Sequence, residues 1–185
     1  MRVETTTREL YTFDELTETA KERAIELLSD INVYYEWWDC TYEDANTVGI
    51  TITSFELDRN RHACATICNP QETAQLILEN HGIECETYKT AKAFLDEVKP
   101  LQDKFDKAIR IAEDYSYNTH SGKIEKLINI LESEIEELEE DFKQSITEDY
   151  SIMLQHESDY LQSSEAIEET IRSNEYEFTI DGELA

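Results

Sequence analysis

The sequence predicts an α+β fold: a small antiparallel sheet packed with helices, plus a long antiparallel helical hairpin at about 86–162. The sheet is expected to combine an N-terminal strand, a hairpin at about 50–68 and a C-terminal strand. Three observations lead there. Two β-rich runs, ITITSFEL and RHACATIC, flank the short polar turn Asp58, Arg59 and Asn60. Apolar residues then recur at threes and fours through two long stretches, which is helical spacing. YEFTIDGEL near the end reads as a strand that returns to the first sheet. The chain is read as one domain, 1–185, with a head of 1–85 and 175–181 and a helical extension of 86–162.

Taken in order, Thr5 to Tyr11 predicts the first strand. In TFDELTETAKERAIELL the apolar positions Leu16, Ala20, Ala24, Ile25 and Leu28 predict a helix that Thr12 or Thr17 caps. YYEWWDCTYEDANTVG predicts a second helix stopping near Gly49, with Tyr34, Tyr35, Trp37, Trp38, Tyr42 and Ala45 spread around it. Such aromatics are expected to pack beneath a sheet, and an exposed partner-binding face is the alternative. In the hairpin, Ile50 and Ile52 hold one phase while Phe55 and Leu57 hold the other. A bulge near Thr53 or Ser54 would keep both pairs on the buried side. Asn69-Pro70-Gln71-Glu72 combines a cap, a proline at the first helical position and an acid three residues past the cap. A helix from Pro70 to about Asn80, stopping at Gly82, follows.

From Glu86, the positions Tyr88, Ala91, Leu95, Val98, Leu101, Phe105, Ala108 and Ala112 predict a helix ending near Tyr115, kinked or split at Pro100. SYNTHSG supplies a loop. Ile124, Ile128, Leu131, Ile135, Leu138 and Phe142 then form a narrow coiled-coil seam, which rotates through Ile146 and Tyr150 before Met153 and Tyr160. SSEAIEETIRS predicts a last short helix.

Charge sets the functional reading. The chain holds 43 acidic against 16 basic residues, a net of −27, and self-repulsion on that scale costs stability. Residues 132–185 carry 18 acids and two bases; residues 1–131 carry 25 and 14. Free nucleic acid and anionic membrane are poor partners for such a surface. No apolar run reaches the roughly 20 residues of a spanning helix, and Met-Arg-Val-Glu does not open a secretory signal, so a cytosolic location is expected.

The densest stretch is ESEIEELEED, residues 132 to 141, with seven carboxylates. On a helix rising about 1.5 Å per residue this is one charge per roughly 2 Å, close to the one per about 1.7 Å of duplex DNA. A solvated helix face is the plain explanation, since Glu is a good helix former. The polarised charge favours imitation of a nucleic-acid backbone instead, directed at a basic groove. The candidate contact residues are Glu132, Glu134, Glu136, Glu137, Glu139, Glu140 and Asp141, with Glu148, Asp149, Glu157 and Asp159.

Catalytic and metal signatures are missing from the sequence. There is no Gly-rich phosphate loop, no Gly-x-Ser-x-Gly elbow and no His-Glu-x-x-His helix. His62, His81, His120 and His156 have no sequence neighbours that suggest a relay, and no catalytic residue, cofactor or metal is expected. Cys40, Cys64, Cys68 and Cys85 are too few and irregular for a disulfide framework. Cys64 and Cys68 on one strand would lie roughly 13 Å apart, too far to share an ion. The thiols are expected to be buried small hydrophobes; a zinc site borrowing His62, His81 or Cys85 is the alternative.

YTFDELTETAKERAI, WWDCTYEDA, ITSFELDRNRHACATI, ENHGIECETYKTAKAFL and DYLQSSEAIEETIRSNEYEFTIDGELA together resemble a family of small proteins encoded by tailed bacteriophages and prophages, some of them labelled antitoxins. The resemblance implies a phage product acting in the bacterial host cytoplasm, where acidic DNA-like proteins block host defence, and it brings no catalytic residues. The expected function is inhibition of a host nucleic-acid-binding defence protein, such as a CRISPR effector or a restriction enzyme. An antitoxin or regulatory module binding through the aromatic segment 34–42 or the helical hairpin is the second expectation. A phage assembly accessory protein, self-associating as a homodimer through the hairpin seam, is the third.

Overall fold

The computed structural model describes residues 8–58, 61–114 and 121–185. The fold is α+β, with six helices and two antiparallel two-stranded sheets among the described residues. The expected single sheet is instead two, because the terminal strands pair with each other and the hairpin strands pair with each other. The chain packs as two compact units, one of residues 1–39 with 155–185 and one of residues 40–154. This division differs from a head ending at residue 85: the hairpin groups with the long helices, and the two ends of the chain group together.

In the terminal unit, β1 (Tyr11–Thr12) pairs antiparallel with β4 (Glu177–Phe178), placing Tyr11 opposite Phe178. Residues 5–7 of the expected first strand lie outside the described residues. Thr12 closes a short 3-10 turn by bonding Glu15, whose carboxyl is held below its ordinary range first by the Thr12 backbone N–H and then by its hydroxyl. Thr17 then caps α1 (Glu18–Leu27), accepting from the Ala20 N–H. Ser163 caps α6 (Ser164–Ser173) in the same way through Ala166. Phe13, Leu16, Ala20, Ala24, Ile167, Ile171 and Phe178 form the buried core. Asn32, buried, locks the unit by donating to the Leu161 carbonyl at 2.9 Å and accepting from the Thr170 hydroxyl at 2.7 Å.

In the other unit, α2 (Asp39–Thr47) leads into β2 (Ile50–Glu56) and β3 (His62–Ile67). The register shifts between Ile52 and Ser54, which is the bulge the two apolar phases require; Ile50 and Ile52 are buried and Phe55 is half-buried. The turn residues Arg59 and Asn60 lie outside the described residues. α3 (Pro70–Asn80) starts as its capping residues predict, with the Asn69 side chain accepting from Glu72 N–H at 3.3 Å. α4 (Glu86–Asp114) is not split: Pro100 sits inside it on the exposed side, while Val98 is buried and Leu101 half-buried. One lost backbone bond is outweighed by a buried face that continues on both sides of the ring.

α5 (Ser121–Leu161) runs antiparallel to α4: Thr90 bonds Asp149, Phe94 stacks on Phe142, and Leu101 shares a groove with Leu138. Its buried residues move from Leu131 and Ile135 to Phe142, Ile146, Tyr150 and Leu154, so the seam rotates as its spacing predicts, although Met153 and Tyr160 stay exposed. Residues 116–120 of the connecting loop, His120 among them, lie outside the described residues.

Further expectations are corrected. Tyr34, Tyr35, Trp37 and Trp38 precede α2 in a run of turns rather than lying on it, and they do not form a core. Tyr34 is 86% exposed and Tyr35 61%. Adjacent pairs of large rings cannot all face one direction, and the helix begins only where the aromatics thin out. Cys40, Cys64, Cys68 and Cys85 are all free and exposed, not buried: Cys40 of α2 and Cys64 of β3 fall on solvent-facing positions, while Cys68 lies just past β3 and Cys85 just before α4.

Candidate functional site

The acidic stripe lies on ordered helix. Residues 132 to 141 fall in the middle of α5, where Leu131, Ile135 and Phe142 anchor the apolar side and hold the carboxylates outward. Glu132, Glu134, Glu136, Glu137, Glu140 and Asp141 are exposed. Glu139 is half-buried and accepts from the Gln71 side chain at 3.0 Å. Lys143 donates to Glu140 at 3.3 Å, the one Lys or Arg ion pair on the stripe among the described residues.

Antiparallel packing adds two acids that sequence spacing did not single out. Asp96 and Glu97 of α4 face Glu134, Glu137 and Asp141 of α5 across a groove of about 490 Å³. Pro100, Leu101 and Leu138 give this groove an apolar lining. Lys92 bonds Asp96 at 2.9 Å from one turn away, so in the sequence Asp96 looks like half of an ordinary surface pair. Only the register of α4 on α5 reveals the five-carboxylate arrangement. Such a lining suits a cationic side chain with an apolar stem, such as Arg or Lys on a protein surface.

The remaining acids divide. Glu148 is exposed, on a different groove beside β3. Asp149 turns inward: it is half-buried, accepts from the Thr90 hydroxyl at 2.7 Å, and burial raises its carboxyl above the ordinary range. It therefore ties α5 to α4. Glu157 and Asp159 are exposed but belong to the terminal unit, and Asp159 accepts from Gln155 at 2.7 Å. The eleven acids are not one patch within one unit.

No known protein family, curated protein or solved structure matches the chain.

The fold gathers a polar cluster around His81. His81 Nδ1 lies 2.8 Å from the Thr87 hydroxyl, and its Nε2 lies 3.6 Å from Asp44 Oδ2. Tyr150 donates its hydroxyl to the same Asp44 oxygen at 2.9 Å. The Tyr150 phenol is pushed well up, by burial first and then by the Asp44 charge. The order Asp, His, Thr resembles a relay, yet Thr87 is only 4% exposed, so its hydroxyl has no access to a substrate. The cluster instead joins α2, the end of α3, α4 and α5. Nothing in the local spacing of residues 44, 81, 87 and 150 signals it.

Among the described residues no group of three or more His, Cys, Asp or Glu side chains is arranged to hold a metal ion, and no helix is long and apolar enough to cross a membrane.

Proposed function

We propose that this protein is an acidic inhibitor that occupies the basic groove of a nucleic-acid-binding protein, with the α4 and α5 carboxylates standing in for phosphates. The observation that carries this reading is the exposure of Asp96, Glu97, Glu134, Glu137 and Asp141 around one groove. Like charges at i and i+4, such as Glu132 with Glu136 and Glu136 with Glu140, cost about 0.2–0.5 kcal/mol per pair in the free protein. A cationic partner relieves that penalty on binding, and long-range attraction speeds the encounter. The resemblance to phage proteins supplies the setting: a host defence nuclease in a bacterial cytoplasm, whose DNA or RNA channel is blocked.

The test is inhibition of DNA binding by purified RNA-guided and restriction nucleases of a bacterial host. Affinity should drop steeply as salt rises, duplex DNA should compete, and combining Glu134→Lys, Glu137→Lys and Asp141→Lys should weaken binding about a hundredfold. Affinity indifferent to both salt and DNA would reject the mimicry.

A second reading, an antitoxin or regulatory module, is favoured by the exposure of Tyr34 and Tyr35. Exposed tyrosines beside the edge-to-face Trp37 and Trp38 rings resemble the anchors of protein interfaces. A partner held there should be lost on Tyr34→Ser with Tyr35→Ser and retained by the charge-reversed variant.

A further inference from the structure

β2 and β3 make a sheet of two strands, so each has an outer edge with no third strand among the described residues. The edges differ. β2 is bulged at Thr53, which twists an edge away from further pairing, whereas β3 keeps a regular register from His62 to Ile67. Beside β3, from Arg61 to Ala65, runs a groove of about 520 Å³ whose other side is α5. Gln71, in the first turn of α3, bonds Glu139 and so ties the segment that follows β3 to α5.

We infer that the outer edge of β3 accepts an extended segment of a partner protein as a third strand, laid over α5. Two features of the groove define the occupant. Glu140, Gln144 and Glu148 succeed each other by one step of four on α5, about 6 Å per step. Alternate side chains of a strand succeed each other by about 6.6 Å, so three in a row meet these three residues in turn. Between them and the sheet lie Thr147, half-buried, and Ser151, buried, both short enough to leave room for a strand backbone.

The second feature is charge. Arg61 and Lys143 balance Glu140 and Glu148, making this a locally neutral groove in a chain of net −27. The middle of the incoming strand is therefore uncharged and β-branched, and its ends, which reach the acidic surface outside, are basic. A second copy of this chain fits poorly, since it would bring its own 27 excess charges to the contact. Main-chain bonds would supply the affinity and the alternating side chains the selectivity.

The probe is a blocked peptide, acetyl-Lys-Thr-Val-Thr-Val-Thr-Lys-amide, titrated into the full ¹⁵N-labelled chain. Saturable shifts and slowed amide exchange should centre on β3. Two versions of the peptide, N-methylated at alternating amides, discriminate pairing from charge attraction, because only one edge of a strand can pair. One version should bind about tenfold more weakly and the other like the parent. Gln144→Trp, an exposed position, should also weaken binding about tenfold with unchanged melting temperature. Equal binding of both methylated versions would overturn the inference, as would shifts confined to the α4 and α5 carboxylates. A β3-mediated dimer in sedimentation of the free chain would also overturn it. The inference does not rest on the mimicry reading, since Glu134→Lys, Glu137→Lys and Asp141→Lys leave this groove unaltered.

Discussion

The rings of Phe94 and Phe142 stack with their centroids 4.4 Å apart and their planes 15° from parallel, fastening α4 to α5. Both side chains are buried. The five-carboxylate groove depends on this contact, because its two walls are separate helices whose surfaces repel each other. Phe142→Ala should cost about 3–5 kcal/mol in urea unfolding, from lost transfer energy and the cavity left behind. Phe94→Ala should cost a similar amount, and the double variant less than the sum, since both remove one contact. A loss below about 1 kcal/mol for either would mean that the helices are held together elsewhere.

Asp149 makes a pH-dependent contribution of unusual sign for a carboxylate. Burial raises its folded-state value, so the folded protein binds the proton more tightly than the unfolded chain does. Stability from this group is greatest below the unfolded value near pH 3.9 and falls as pH rises through the raised folded value. Asp149→Asn keeps an oxygen for the Thr90 hydroxyl and removes the charge. Its melting temperature relative to the parent should rise across the acidic range and then level off near neutrality. A constant difference from pH 3 to pH 7 would contradict this.

Gly182 adopts φ +82, and a Cβ there would strike the carbonyl oxygen of Ala20 in α1. Gly182→Ala meets both a strained backbone and a backbone obstacle, so it should destabilise the terminal unit by more than about 1 kcal/mol. Gly122→Ala, where a Cβ meets nothing within 4 Å, is the matched control and should be neutral or stabilising in thermal melts.

A net charge of −27 should make stability depend on ionic strength. The ion pairs among the described residues are largely exposed side-chain pairs, such as Lys89 with Glu86 at 2.7 Å, and contribute little that salt can take away. Screening of the general repulsion should dominate, so the melting temperature should climb between 10 mM and 500 mM NaCl. A fall would indicate that specific pairs, not repulsion, control the electrostatics.

Local patterns in the chain determined its elements. The Asn69 to Glu72 cap, the hairpin with its bulge, the threes and fours of α4 and α5 and the outward stripe at 132 to 141 all follow from side chains within a few residues of one another. Periods of two and 3.6 are written along the chain, and so is charge density. Tertiary structure alone decided what depends on distant segments meeting. Tyr11 found Phe178 and made a second sheet, Asp96 and Glu97 came to face Glu134, Glu137 and Asp141, and Asp149 turned inward to Thr90. His81 settled between Asp44 and Thr87 in the same way, and Tyr34 and Tyr35 were left in water. The reason is physical: the energy of a pairing depends on which surfaces complement each other once the whole chain is compact, and no local period encodes that choice.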